Sequence, residues 1–182
     1  MNGPTHALLG ACAGLGTGLI MASAMHLPAW QVACAVPLAM VTSAGHTSPD
    51  MDQSAWWRLL DRWLPDEALG ESGPMRHRGI THWWGLVVVA GVALWMLAPG
   101  AWWAWALLAG WTSHLAGDFV FGANGGIPVM PWWNCVGLGL NVGGPTEAVT
   151  RAVILPVILA VLALRAGGID VIGPIVDHIR AR

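Results

Sequence analysis

His114 and Asp118 stand four residues apart in an apolar run, a spacing that puts an imidazole and a carboxylate on one face of a helix. Together they can share one divalent cation, and mixed nitrogen and oxygen ligation without thiolate suits zinc or manganese. Four further segments carry groups of the same kind. His6 opens an apolar run, Asp50 and Asp52 sit two apart in Ser48-Pro49-Asp50-Met51-Asp52, His77 and His82 frame Arg78-Gly79-Ile80-Thr81, and Glu147 precedes another apolar run. Each has a plainer role open to it. Asp50 and Asp52 can cap a following helix, and Glu147 can be the first-turn acid that the helix dipole favours. Arg78 beside His77 suits a phosphate, because the guanidinium offers paired donors to its oxygens.

The elements that must position these groups are apolar helices. Of 182 residues 55% are hydrophobic and only 10% charged, which makes the chain an all-α membrane protein by composition. All 8 basic residues are Arg and the formal net charge is -2, so a nucleic-acid partner is not expected. The 13 Trp suit span ends, where the ring is buried and the indole N–H reaches water. The 3 Cys, Cys12, Cys34 and Cys135, are odd in number and read as packing residues. Without a basic segment ahead of the first apolar run, a cleaved signal is not expected.

About five transmembrane helices follow from the apolar runs, at about 7–25, 28–44, 82–98, 101–120 and 147–166, in a single domain over 1–182. In the first, Gly10, Gly14 and Gly18 form a stripe that lets another helix approach closely. Pro156 should kink the fifth. Long loops at 45–81 and 121–145 alternate with tight turns, so every candidate group falls on the membrane face of the amino terminus. The opposite ends carry little, His26 being the only ionisable group in the tight turns. Within the first loop Trp56, Trp57, Leu59, Leu60, Trp63 and Leu64 recur at helical spacing around Arg58 and Arg62, as in an interfacial helix. Ile169, Ile172, Val176 and Ile179 suggest a second such helix on the other face.

These motifs resemble the YdjM-like family of bacterial membrane-bound metal-dependent hydrolases over most of the chain. The resemblance is carried by Thr5-His6 before an apolar helix, the Pro49-Asp50-Met51-Asp52 turn and the His77-Arg78-Gly79-Ile80-Thr81-His82 block. It continues with His114 and Asp118 ahead of a Gly-rich stretch ending at Pro131, and with Gly143-Gly144 before Glu147. Two departures stand out: Phe121 replaces a Thr usual three residues after the carboxylate, and Gly45-His46-Thr47-Ser48 replaces an apolar stretch, with His46 read as a loop residue. The order of His, Asp, His and HxxxD is also similar to that of zinc-dependent phospholipase C. The family resemblance implies the bacterial inner membrane and a hydrolytic activity.

The expectation is therefore a membrane-embedded hydrolase of a phosphoester in a lipid or lipid-linked substrate, using one or more divalent ions, zinc first and manganese second. His6, Asp50, Asp52, His77, His82, His114 and Asp118 are the candidate ligands. Arg78 would bind phosphate, and Asp50 or Glu147 would act as general base. The alternatives are a membrane scaffold with a structural metal site and a metal transporter. The transporter fits less well, because the middles of the spans lack Asp, Glu and His, and Arg151 lies near the start of the fifth.

The loop 45–81 has four Arg (Arg58, Arg62, Arg76, Arg78) against three at the other face (Arg165, Arg180, Arg182), which orients the site to the cytoplasm by a narrow margin. Single cysteines at Ser54 and Gly168 should therefore label from opposite sides of the membrane with an impermeant maleimide. Labelling of both from one side would overturn the span count.

Overall fold

The computed structural model describes residues 3–45, 47–53, 63, 78–122, 126–130 and 135–180, excluding the side chains at 52, 53 and 175. The expected interfacial helix around Trp56 and Trp57, His46, His77 and the Asp52 side chain lie outside the described residues, although Trp63 itself is exposed.

Helices stand where the five apolar runs predict them: α1 Gly3–Met25, α2 Ala29–Ala44, α3 Trp84–Leu97, α4 Trp102–Phe121 and α5 Pro145–Ala166. An amphipathic α6, Ile172–Arg180, follows. Starts differ by a few residues, for local reasons. Pro4 fits the first turn of α1, where its missing N–H costs nothing, so His6 lies inside the helix. A 3-10 turn at Ile80–His82 and an extended Trp83 delay α3 to Trp84. Pro145 starts α5 in the same way as Pro4 starts α1.

By length and composition, α1 and α5 are each able to cross a membrane, while α2 and α3 are shorter apolar helices. In α5 the kink expected at Pro156 takes the form of a π turn, Thr150–Ile154, just ahead of it. Proline cannot donate to the carbonyl four residues back, and a widened turn accommodates that missing bond.

The core is a bundle of α1, α2 and α4, with α5 packed on α1 and α3 on α4. The glycine stripe of α1 makes a close seam with α2. A Cβ on Gly10 would come within 2.7 Å of the Ser43 Cβ, and one on Gly14 within 2.9 Å of the Ala39 Cβ and the Val36 Cα, besides striking the Ala35 carbonyl. Gly110 of α4 meets the same helix, at the Ala39 carbonyl and the Thr42 hydroxyl. Thr42 also donates from Oγ1 to the Leu107 carbonyl of α4 at 2.7 Å. Small residues thus replace hydrophobic bulk as the means of association, as in membrane helix pairs.

Outside this seam the helices are apolar and exposed, including Ile20, Val88, Val89, Val92, Val153 and Val157. Trp30, Trp95 and Trp103 are exposed near the tight-turn end, where Trp30 meets Trp102 edge to face at 6.0 Å. This is an aromatic border of the kind found at a bilayer surface. Cys12, Cys34 and Cys135 are free thiols, Cys12 with its Sγ 3.6 Å from the Leu155 carbonyl of α5.

At the other end the chain after α4 folds back on the helix. A two-residue antiparallel pair joins β1 (Ile127–Pro128) to β2 (Cys135–Val136), and the Leu138 and Leu140 amides donate to Phe119 and Val120. This strand pair was not expected from the sequence.

Gly14→Val should cost about 1–3 kcal/mol, because the added atoms meet backbone that cannot swing aside. Gly16→Val is the matched control, since a Cβ there meets nothing within 4 Å. Unfolding in a denaturing detergent titration should separate the two variants.

Candidate metal centre

The site is assembled at the end of the bundle where α1 and α5 begin and α2 and α4 end. Ser43, near the end of α2, ties three helices together. Its Oγ donates to the His6 carbonyl of α1 at 2.7 Å and lies 3.1 Å from the Ser113 hydroxyl of α4, and its own carbonyl accepts from His114 Nδ1 at 2.6 Å. The Nδ1 bond orients the His114 ring and turns its Nε2 inward.

Nε2 of His114 faces carboxylates: Asp118 Oδ2 at 3.5 Å and Asp50 Oδ2 at 3.7 Å. His82 reaches the same pair, with Nε2 3.3 Å from Asp50 Oδ1 and 3.5 Å from Asp118 Oδ2. Asp50, His82, His114 and Asp118 thus offer ligand atoms that all lie within 4.8 Å of one another. His6 adds a fifth group, its Nε2 3.3 Å from Asp118 Oδ1 and its ring stacked on that of His114 at 3.8 Å.

Burial sharpens the chemistry. His82 and His114 are fully buried, His6 and Asp118 nearly so, and only Asp50, with 42% of its side chain exposed, faces outward. A lone pair of a neutral imidazole opposite a buried carboxylate is repulsive. The arrangement is sound when a cation, proton or metal, lies between them. Buried His114 Nε2 has no aligned hydrogen-bond partner among the described residues, so the donor set fits a divalent metal of the zinc or manganese type. Burial pushes the Asp50 carboxyl up, but the hydrogen bond with His82 and the imidazolium charges of His114 and His82 outweigh it and hold the group down at about 2. The Asp50 carboxyl is therefore ionised at neutral pH.

Arg78 lies at the rim. Its backbone is left-handed, with φ 61°, a conformation that is strained for a residue with a long side chain. Its Nη1 donates to the Gly126 carbonyl at 3.0 Å, and Nη2 comes to 3.9 Å from Asp118 Oδ2. The guanidinium thus joins the turn before α3, the strand pair and the carboxylate, with part of its surface still open.

Glu147 is fully buried beside the site, outside the four-residue cluster. Thr5 Oγ1 donates to its Oε1 at 2.7 Å and the Gly143 amide to its Oε2 at 2.6 Å. It fastens the start of α5 to the turn of α1 that carries His6, and both of its oxygens are engaged.

The chain matches the family model of the YdjM inner membrane protein over residues 1–171. It belongs to the YdjM inner membrane protein family. No curated protein and no solved structure matches it. For this member of the YdjM family, a membrane protein, the described site unites four sequence candidates, Asp50, His82, His114 and Asp118, with His6 alongside.

Three positioning residues went unnoticed as such in the sequence. Thr81, at the heart of the HRGITH block, sets Oγ1 3.1 Å from His82 Nδ1, while its carbonyl accepts from Trp111 Nε1. Thr5 precedes His6, and its partner Glu147 is 142 positions away. Ser43 acts partly through its backbone carbonyl, which any residue type would supply, so sequence carries no signal for it.

Groups behind ligating imidazoles set their orientation and basicity. Thr81→Val should therefore weaken zinc binding roughly 10–100-fold without abolishing it, whereas His114→Ala and Asp118→Ala should leave purified protein without metal at that centre. Metal analysis and competition with a zinc chelator read both effects.

Proposed function

We propose that this YdjM-family protein is a membrane-embedded, metal-dependent hydrolase of a phosphoester in a lipid or lipid-linked substrate. The observation that carries the reading is the convergence of Asp50, His82, His114 and Asp118, from separate segments, with ligand atoms within 4.8 Å of one another. In this reading all five helices α1–α5 cross the bilayer, and the site sits at head-group depth on the cytoplasmic face. The exposed apolar flanks of the helices and the Trp border at the far end support the crossing.

A divalent cation held by these residues would supply an activated water, by lowering the pKa of bound water from about 15.7 toward 7, and would offset charge on the phosphoryl oxygens. The chain's own residues do the rest. Arg78, at the rim and partly open, faces the phosphate and offsets the negative charge that grows on its oxygens as water attacks phosphorus. Asp50, outward-facing and ionised, accepts a hydrogen bond from the attacking water and orients it. The proton released on attack goes to the departing ester oxygen as its bond to phosphorus breaks. Glu147, with both oxygens engaged, acts as a positioning residue for His6 and α5 rather than as the base.

Phosphate release from a panel of lipid phosphates in mixed micelles tests this reading. Wild-type protein with zinc or manganese should turn over at least one of them, and Asp118→Ala should not. Arg78→Lys should lower kcat/KM about 10-fold or more, since a point charge replaces paired donors. Bound metal without turnover on any lipid phosphate would sink the hydrolase in favour of a structural site.

A further inference from the structure

Both α2 and α3 rest on α4 and scarcely touch each other, which leaves a crevice of about 410 Å³ between them. Ligand sites run from about 300 to 1,000 Å³. The floor is Ala104, Leu107 and Trp111 of α4, with Ala90 and Leu94 of α3 on one side and Thr42 and Thr47 on the other. Its polar side chains donate inward. Thr42 Oγ1 donates to the Leu107 carbonyl at 2.7 Å, Thr47 Oγ1 to the Val41 carbonyl at 3.2 Å and Trp111 Nε1 to the Thr81 carbonyl at 3.1 Å. The crevice therefore presents hydrocarbon surface to an occupant, with each side-chain donor already engaged.

One end adjoins the candidate metal centre. Thr47 stands three residues before Asp50, Trp111 stands three before His114, and the Trp111 bond is to the residue that precedes His82. From there the crevice follows α4 for about 10 Å toward Ala104. A partner helix seats best on small residues that let backbones approach, as the glycines of α1 do for α2. Here Leu94, Leu107 and Trp111 hold a second backbone off, and the space left at Ala90 and Ala104 suits a narrow, flexible chain.

We propose that this crevice seats a hydrocarbon chain of the lipid phosphoester substrate and so brings its phosphate to Arg78 and Asp50. This rests on the reading of the site as one that acts on a lipid phosphoester. A chain passing from bilayer to crevice exchanges one apolar surface for another, so the gain is positional: the ester is held at a fixed depth beside the ligands. The site then selects a substrate by its chain as well as by its head group.

The test uses the full chain in phosphatidylcholine vesicles and a long-chain alkylphosphonate carrying a diazirine midway along its chain. The carbon–phosphorus bond of this probe is not an ester and is not hydrolysed. Label should concentrate at residues 90–94 and 104–108 and fall with excess unlabelled alkylphosphonate, but not with an alcohol of equal chain length. Ala90→Trp, which fills the crevice, should remove that label and lower the ratio of kcat/KM for long-chain over short-chain alkyl phosphates about 10-fold. Val92→Trp is the control. It is exposed and two positions from both Ala90 and Leu94, so it lies on the other side of α3 and should change neither readout. Equal competition by the alcohol, or label spread over the exposed flanks, would overturn the proposal by making the crevice part of the general lipid surface. Turnover of lipid phosphates with no label in the crevice would overturn it and leave the hydrolase standing. Competed label in the crevice without turnover of any lipid phosphate would uphold the chain seat and remove the hydrolase. Should Ala90→Trp fail to fold, the competition in wild type decides.

Discussion

A carboxylate almost without solvent, near the end of α4, is the constraint around which this molecule is arranged. Asp118 is 2% exposed, and an ion so enclosed is unfavourable by several kcal/mol unless positive charge and hydrogen bonds surround it. The partners come from different segments: His6 from α1, His114 from its own helix, and His82 and Arg78 from the turn before α3. Removing any one partner leaves the carboxylate in place and less compensated. The requirements of Asp118 therefore act on the whole end of the bundle, and a divalent cation meets them better than protons alone, because it needs the imidazoles neutral and the carboxylates ionised at once.

Bringing those partners together demands helices closer than ordinary apolar side chains permit. Gly10 and Gly14 let α1 meet α2 at Ser43, Ala39 and Val36, and Gly110 lets α4 meet α2 at Ala39 and Thr42. Three backbones then approach near Ser43, and the His6 carbonyl, the Ser43 hydroxyl and carbonyl, and the His114 ring complete one chain of hydrogen bonds across them. Such a chain of buried polar groups fixes the register of the helices as well as their association. Packing and chemistry are the same problem here. A glycine lost from the seam would move His6 away from Asp118 even though no ligand had changed.

Much of this was legible from residue types and spacing. The four-residue interval of His114 and Asp118, the glycines at intervals of four, and the alternation of long loops with tight turns are local patterns. Each has a structural counterpart in the helix face, the seam or the shared end. What escaped reading depends on distance in the chain or on the backbone. Thr5 and Glu147 are 142 positions apart, and nothing in either neighbourhood marks the other as its partner. Ser43 works partly through a carbonyl. Glu147 is the first-turn acid that the sequence allowed, but its partners, a hydroxyl from α1 and the Gly143 amide just ahead of its own helix, were not marked there. The π turn in α5 answers Pro156, which announced a disturbance and left its form open. The short strand pair after α4 escaped because two-residue strands carry no periodicity.

The unequal exposure of the candidate ligands divides the site into an inner and an outer part. His6, His114 and Asp118 are carried by helices and buried, so their geometry is set by the bundle, and His82 is held as firmly by Thr81 and the carboxylates. The two most open groups, Asp50 and Arg78, sit on turns outside the helices. In the proposed hydrolase, a wall of buried groups and a more open rim would suit a substrate that arrives from the head-group layer, because the buried groups would not need to move. The strained backbone of Arg78 belongs to the same division. A left-handed residue is held there by the Gly126 carbonyl on one side and Asp118 on the other, so the guanidinium is aimed before any substrate is bound. Preorganisation of this positive charge is thus supplied by the fold, and it follows from the same buried carboxylate that draws the imidazoles together.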